Sequence, residues 1–198
     1  MSLIRPLVDA GLIAVGSPLT VNAVSGYTGG GKQLMEIYKS GPPNAPWEQY
    51  GFNMHHKHLP EMAKYSGLGR APIFQPQVGN FPQGMVVSIP LHYSSMSPNV
   101  SASKLHAALS SHYSGSPFVS VMPYAGPEGQ ASYLERSNFL RPDTLANTNK
   151  MELFVFANDQ VGQAVLCARL DNLGKGASGA AVQNMNLALG LEETAGLL

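Results

Sequence analysis

Cysteine occurs once in the 198 residues, as Cys167, so no disulfide can form within the chain. A chain without bridges suits a reducing compartment, and a cytoplasmic location is the expectation. Lysine plus arginine number 12, as do aspartate plus glutamate, and no long basic tract occurs anywhere. That balance offers no grip on a phosphate backbone, so nucleic acid is not an expected partner. No apolar run approaches the roughly 18 residues that span a bilayer, and no charged region leads into a long apolar stretch at the start. Neither a membrane segment nor an export signal is expected. Charged residues make up 12% of the chain against 44% hydrophobic ones. This is enough apolar mass for one well-cored domain, with a surface so sparsely charged that a partner is expected to cover part of it.

What is present alternates between strand and helix signals. Ile4, Leu7, Val8 and Leu12 recur at helical spacing, with Gly11 placed to end the helix. The opening Met1-Ser2-Leu3 reads as a start appended to a helix already under way, because Ile4-Arg5-Pro6 lacks a cap; the chain therefore reads as an excised piece. "PLTVNAVSG" predicts a strand running into the glycine-rich "SGYTGGGKQ", and Lys32 to Tyr38 resumes as a helix. Gly41 to Gly51, rich in proline and carrying Trp47 and Tyr50, reads as an irregular lid or interface loop. "HLPEMAKYSG" predicts a short helix with Pro60 in its first turn. "APIFQPQV" and "QGMVVSIPLHY" read as strands that Pro76 and Pro90 assign to edges or bulges. A helix with Leu105, Ala108, Leu109 and His112 on one side follows, then the strands "PFVSVMPY", "KMELFVFAND" and "QAVLCARLD", the last two as a hairpin. "GASGAAVQNMNLALGL" closes the chain as a small-residue helix whose face needs a neighbour. The sum is an α+β layer structure.

The glycine loop poses the first chemical question. Gly26, Gly31 and Lys32 match a phosphate-cradling P-loop until Gln33 replaces the hydroxyl residue that would hold magnesium, and Asp159 falls in a hairpin turn instead of ending a parallel strand. A nucleotide hydrolase is therefore not expected. Backbone N–H groups and Lys32 at a helix start still suit an anion, while a merely tight connection explains the same residues. "HHKHLPEM" gathers His55, His56 and His58 with Glu61 one turn on. Three readings stay open: an imidazole oriented by a carboxylate for acid/base work, a metal site in which His56 and His58 share one face of an extended stretch, and an ordinary surface cluster. Cys167 lies among apolar neighbours in a strand and reads as structural. Asp171 and Asn172 read as caps for the helix that follows Gly174, Lys175 and Gly176.

Taken together, "VNAVSGYTGGGKQ", "HKHLPEM", "FQPQVGNFPQGM" and "ARLDNLGKGASGAAVQNMNLALGL" resemble, in order and over nearly the whole chain, the short bacterial form of the N-acetyl-γ-glutamyl-phosphate reductase family. The resemblance implies NADP-dependent reduction in arginine biosynthesis. A cysteine thiolate attacks the acyl phosphate, phosphate leaves, and hydride reaches the thioester to give the semialdehyde. In that family the nucleophile precedes the first helix seen here, after a dinucleotide-binding domain. The chain is then the substrate-binding and dimerisation domain, 1–172, plus a C-terminal helix, 173–198, that packs on the cofactor domain; alone it is expected to be inactive.

By the same resemblance His58 is the acid/base residue and Glu61 orients it. Ser25, Gly26, Tyr27 and Lys32 border the substrate, and Gly29, Gly30, Asn172 and Lys175 border the cofactor. No metal is implied. Gln77 and Gln83 depart from the family's histidine and arginine, which leaves the contacts to the substrate carboxylate open. The fold implied is a mixed, largely antiparallel sheet with helices on one face. It is like the C-terminal domain of glyceraldehyde-3-phosphate and semialdehyde dehydrogenases, and its other face pairs with a second copy in a homodimer or homotetramer. The rival expectation is a non-catalytic binding or assembly protein on the same scaffold.

Overall fold

A computed structural model describes residues 1–40, 45–124, 126 and 132–197. In chain order it contains α1 (Arg5–Asp9), β1 (Thr20–Gly26), α2 (Gly31–Ser40), β2 (Trp47–Gln49), α3 (Leu59–Tyr65), β3 (Ile73–Gly79), β4 (Met85–His92), α4 (Ala102–His112), β5 (Val119–Val121), β6 (Met151–Asn158), β7 (Gln163–Leu170) and α5 (Gly179–Ala188). The strands among the described residues join in one 7-stranded sheet of order β2-β3-β1-β4-β7-β6-β5. Pairing is parallel for β1 with β3 and β5 with β6, and antiparallel for the other neighbours. The expected mixed, largely antiparallel sheet is present, and β6 and β7 form the expected hairpin.

The two-residue period of the strands sorts side chains between two faces. On one face Val21, Ile89, Leu91, Leu153, Val155 and Leu166 form the core, roofed by Leu7 of α1 and by Leu105 and Leu109 of α4. Register builds this core: Leu166 of β7 stands opposite Ile89 on one side and Val155 on the other. Helix α4 is set by Ser101, whose side chain accepts the Lys104 N–H at 3.3 Å. On the second face the segment from Tyr133 to Asp143 lies over β6 and β7, with the Tyr133 ring 5.0 Å from Phe154. There Arg169, 5% exposed, donates through Nε to Glu152 at 2.9 Å and through Nη1 to the Arg141 carbonyl at 3.2 Å.

Four local expectations change. The excursion after Gly41 contains a short edge strand, β2, held by ladder pairing to β3; positions 41–44 lie outside the described residues. Strands β3 and β4 are interior to the sheet, yet each proline is tolerated because a neighbour stops short: β2 pairs only with Gln77 to Gly79, and β1 pairs with β4 only as far as Ser88. His112 ends α4 exposed, one turn beyond the buried Leu109, because the sheet lies under the earlier turns. Helix α1 stops at Asp9, since Gly11 at φ +68° folds the chain back and Leu12 and Ile13 both donate to the Leu7 carbonyl. Apolar side chains of α5 remain exposed, Met185 at 51% and Leu187 at 55%.

Leu166→Ala should cost about 2–5 kcal/mol, because the hole it leaves at the centre of three strands cannot collapse. Urea unfolding reads this as a lower midpoint at unchanged slope.

Candidate active site

Helix α3 is short and begins at Leu59 with Pro60 in its first turn, so His58 and Glu61 stand one turn apart. His58 Nδ1 lies 2.9 Å from Glu61 Oε2, and the two side chains are 49% and 54% exposed. With Glu61 ionised, Nδ1 carries the shared proton and Nε2 is the nitrogen left for other partners. Both residues line an apolar cavity of about 400 Å³, bounded by Val21 and Ala23 of β1, Phe74 of β3, Met85 of β4 and the first residues of the chain. The imidazole is thus neither sealed in hydrocarbon nor turned from a cleft.

His56 sits behind this pair. Its Nδ1 accepts the His58 backbone N–H at 3.2 Å, and its ring stands edge-on to Phe74 with centroids 4.9 Å apart. Burial, then the charges of His58 and Lys57, push its pKa below the ordinary histidine value. The extended geometry required by the metal reading is absent: His58 is in the helical region at φ −87°, ψ −7°, and each imidazole has its Nδ1 engaged. Among the described residues no three His, Cys, Asp or Glu converge as a metal site.

The glycine loop forms a second centre. β1 ends at Gly26, residues Tyr27–Gly30 make one tight helical turn, and Gly31 at φ +72° starts α2. Gly26 is required there, since a Cβ would meet the Pro82 backbone at 2.5 Å. The Thr28 hydroxyl donates to the Pro82 carbonyl at 2.6 Å and accepts from Asn172 Nδ2 at 2.9 Å. Asn172 Oδ1 in turn accepts the Gly84 N–H at 2.8 Å. Beside it Asp171, 1% exposed, accepts from the N–H groups of Asn147 and Leu173 and from Gln83 Nε2. Ser25 bonds the Gly26 carbonyl at 3.2 Å, and a Cβ at Gly29 would stand 3.1 Å from Ser25 Oγ and 3.4 Å from Asn172 Nδ2. Ser25, Gly29 and Asn172 therefore meet. Tyr27 stacks on Tyr38 at 5.2 Å, whose hydroxyl donates to Glu48; burial and then this bond push the Tyr38 pKa up to about 12. Lys32 is exposed at the start of α2.

The two centres are joined through β1. Leu19, Val21 and Ala23 line the cavity with His58, Ser25 continues the same face by period two, and residues 25–32 are not among those that line the cavity. Lys175 belongs to a third place. It lies in the wide turn Gly174–Ser178, its Nζ donates to Gln183 Oε1, and it stands 5.3 Å over the Phe118 ring. Burial pushes its pKa down, and Glu193 opposes that. Neighbouring Gly176 does line the cavity.

Three other residues have structural work. Cys167 is buried on the second face 3.4 Å from Ser88 Oγ, and burial raises its thiol pKa, the reverse of what an attacking thiolate needs. Asp159 accepts from the Tyr93 hydroxyl and from the Ala102 N–H, tying down the start of α4. Gln77 accepts from Trp47 Nε1, as a brace for β2. Sequence reasoning passed over Thr28, gave Asp171 only to the cap of the helix that follows, and gave Asn172 to that cap and, by resemblance, to the cofactor. The signal available was a hydroxyl in a glycine turn and an Asp-Asn pair directly after a strand.

The architecture is found in dehydrogenase chains. It superposes on aspartate semialdehyde dehydrogenase II from Vibrio cholerae with a TM-score of 0.64, 12% identity, 95% of this chain and 58% of that one. Aspartate semialdehyde dehydrogenase from Francisella tularensis gives 0.62 at 12% identity, over 94% and 62%. At that identity the likeness is one of fold. Residues 1–172 match the model of the family described as semialdehyde dehydrogenase, dimerisation domain, and the chain belongs to that family. Among curated relatives, N-acetyl-gamma-glutamyl-phosphate reductase 2 of Nostoc sp. is 44% identical over 204 residues, covering 100% of this chain and 62% of that protein. N-acetyl-gamma-glutamyl-phosphate reductase of Brucella ovis is 48% identical over 194 residues, covering 96% and 60%. The chain thus spans about 60% of the length of these relatives.

Asn172→Ala should remove both of its bonds and leave the Gly84 N–H without its acceptor, at about 1–3 kcal/mol, while the Thr28 hydroxyl keeps its bond to the Pro82 carbonyl. Faster amide exchange at Gly84, with β6 and β7 still protected, is the expected local signature.

Proposed function

We propose that this chain is the substrate-binding and subunit-pairing part of an NADP-dependent reductase that converts N-acetylglutamyl 5-phosphate to N-acetylglutamate 5-semialdehyde and phosphate in arginine biosynthesis. The observation that carries the reading is the His58–Glu61 pair at 2.9 Å, half exposed on the wall of a largely apolar cavity. Two relatives 44% and 48% identical that bear the reductase name support it.

In this reading Glu61 holds the proton on His58 Nδ1, so that Nε2 takes a proton from a thiol and returns it later in the cycle. The thiol lies outside this chain, whose single thiol is buried on the far face of the sheet. Ser25, Gly26, Tyr27 and Lys32 border the acyl phosphate, the backbone N–H groups and the Lys32 ammonium suiting its charge. The nicotinamide end of the cofactor fits the same turn. Gly29 and Gly30 carry no side chains, nothing stands within 4 Å of a Cβ placed on Gly31, and Asn172 keeps one amide hydrogen beyond its bond to Thr28. Lys175 is the weakest member, because its ammonium is turned toward Gln183. When bound, the cofactor supplies hydride, and it is held mainly by the domain that precedes this one. The exposed apolar stripe of α5 packs against that domain. A cytoplasmic location follows from the reaction's dependence on that cofactor.

Joining this chain to the N-terminal portion of the Brucella ovis relative should give NADPH-dependent reduction of the acyl phosphate. His58→Asn in the joined protein should lower kcat by about 10²–10⁴. A well-folded joined protein without turnover would instead favour a binding or assembly role on this scaffold.

Pairing with a second copy in a homodimer or homotetramer belongs to the second face, where Ile73 and Val165 are 54% and 37% exposed. Alongside them run the uncharged Asn22, Gln75 and Ser88, a surface suited to burial against itself. Val165→Arg should convert the assembly to smaller units in light scattering without changing the thermal midpoint of the subunit fold.

A further inference from the structure

The backbone at His58 is the unusual part of the pair. The residue immediately before a helix ordinarily adopts extended dihedrals and lends its side chain to the helix N–H groups. His58 instead has helical dihedrals, makes no such cap, and spends its Nδ1 on Glu61. Its own N–H is taken from behind by His56 Nδ1 at 3.2 Å, while the His56 carbonyl accepts the Leu59 N–H at 3.0 Å. His56 thus closes a side-chain turn over His58, in the manner of an Asx turn. Its ring cannot swing freely, being edge-on to Phe74 at 4.9 Å and 6.2 Å from the Tyr50 ring.

We propose that His56 is the positioning residue of the His58–Glu61 pair: as a neutral imidazole braced on Phe74 it accepts the His58 N–H and fixes the backbone from which the His58 ring reaches Glu61. The role rests on the acid/base reading of His58, and it lies beyond it. Acceptance requires an unprotonated Nδ1. The groups near His56 are His58 and Lys57 on its own segment, the Tyr50 ring, Glu61 of α3 beyond the His58 ring, and Phe74 of β3, which carries no charge. Burial and the two basic neighbours hold the His56 pKa below its ordinary value. The acceptor is therefore intact at and above neutral pH and is lost as pH falls through that lowered value, when an N–H would face an N–H.

Nitrogen-15 NMR of the ring nitrogens in the present chain tests this directly. At neutral pH His56 should carry its proton on Nε2 and His58 on Nδ1. A wild-type His56 protonated on Nδ1 would overturn the proposal without any variant. His56→Phe keeps an aromatic ring against Phe74 and removes the acceptor, so His58 should lose its fixed tautomer, as it should in Glu61→Leu, which removes the group that accepts from Nδ1. His56→Asn supplies a carboxamide oxygen to the same N–H and should restore it. An unchanged His58 tautomer in His56→Phe, or no rescue by Asn, sinks the idea. In the joined reductase, His56→Phe should lower kcat about tenfold to a hundredfold with little change in KM, as expected for a misplaced catalytic group. If the tautomer pattern holds while His58→Asn leaves turnover intact, the acid/base reading fails: His56 then orders the pair, but its role in turnover is overturned with that reading.

Discussion

The polar contacts around the glycine turn are organised by the two residues that directly follow β7. Asp171 and Asn172 are buried at 1% and 9% exposure, and between them they bond Thr28, Gln83, Gly84, Asn147 and Leu173. These partners come from four separate stretches of chain. A primary amide supplies donor and acceptor at once, so Asn172 can take the Gly84 N–H with one end and give to Thr28 with the other. In a setting with little water each of these bonds is costly to leave unmade, and the glycine turn, the turn before β4 and the start of the C-terminal region are locked to one strand end. The catalytic reading depends on this junction because it fixes where Ser25 and the glycine turn stand relative to β1.

The second dependence is on the sheet's two unlike faces. One face is closed by α1 and α4 over a continuous aliphatic layer, and that layer runs on into the cavity through Val21 and Phe74. The cavity wall is largely apolar, and the half-exposed His58 and Glu61 supply its titratable side chains. A proton-transferring imidazole needs both conditions: a partner that fixes its tautomer and access for the group it serves. The short helix provides the partner by spacing alone, and the unfilled layer provides the access. The other face carries the buried Arg169–Glu152 pair under the 133–143 segment, and it leaves a sparsely charged strip across β3, β1 and β4.

Much of this could be read from residue order. The strand into the glycine loop, the β6–β7 hairpin, the capped α4 and the His58–Glu61 spacing all depend on contacts within a few residues, where side-chain period and capping chemistry decide the outcome. The misreadings share a cause. Pro76 and Pro90 looked like edge residues because a strand's neighbours cannot be seen from its own sequence, and here the neighbours end early. His112 followed the helical period of Leu105 and Leu109 but outran the sheet beneath them. Thr28 stood out only as a hydroxyl in a glycine turn, since its two partners lie 54 and 144 residues away.

Local chemistry determined the elements, the glycine turn, the carboxylate-paired histidine and the absence of any internal disulfide. Only the folded chain decided that Asn172 faces inward to knit three turns together, that Cys167 is buried on the far side of the sheet, and that His56 backs His58. Those outcomes rest on packing between segments distant in sequence, where burial and strand order choose among contacts that each residue's own neighbourhood leaves equally open.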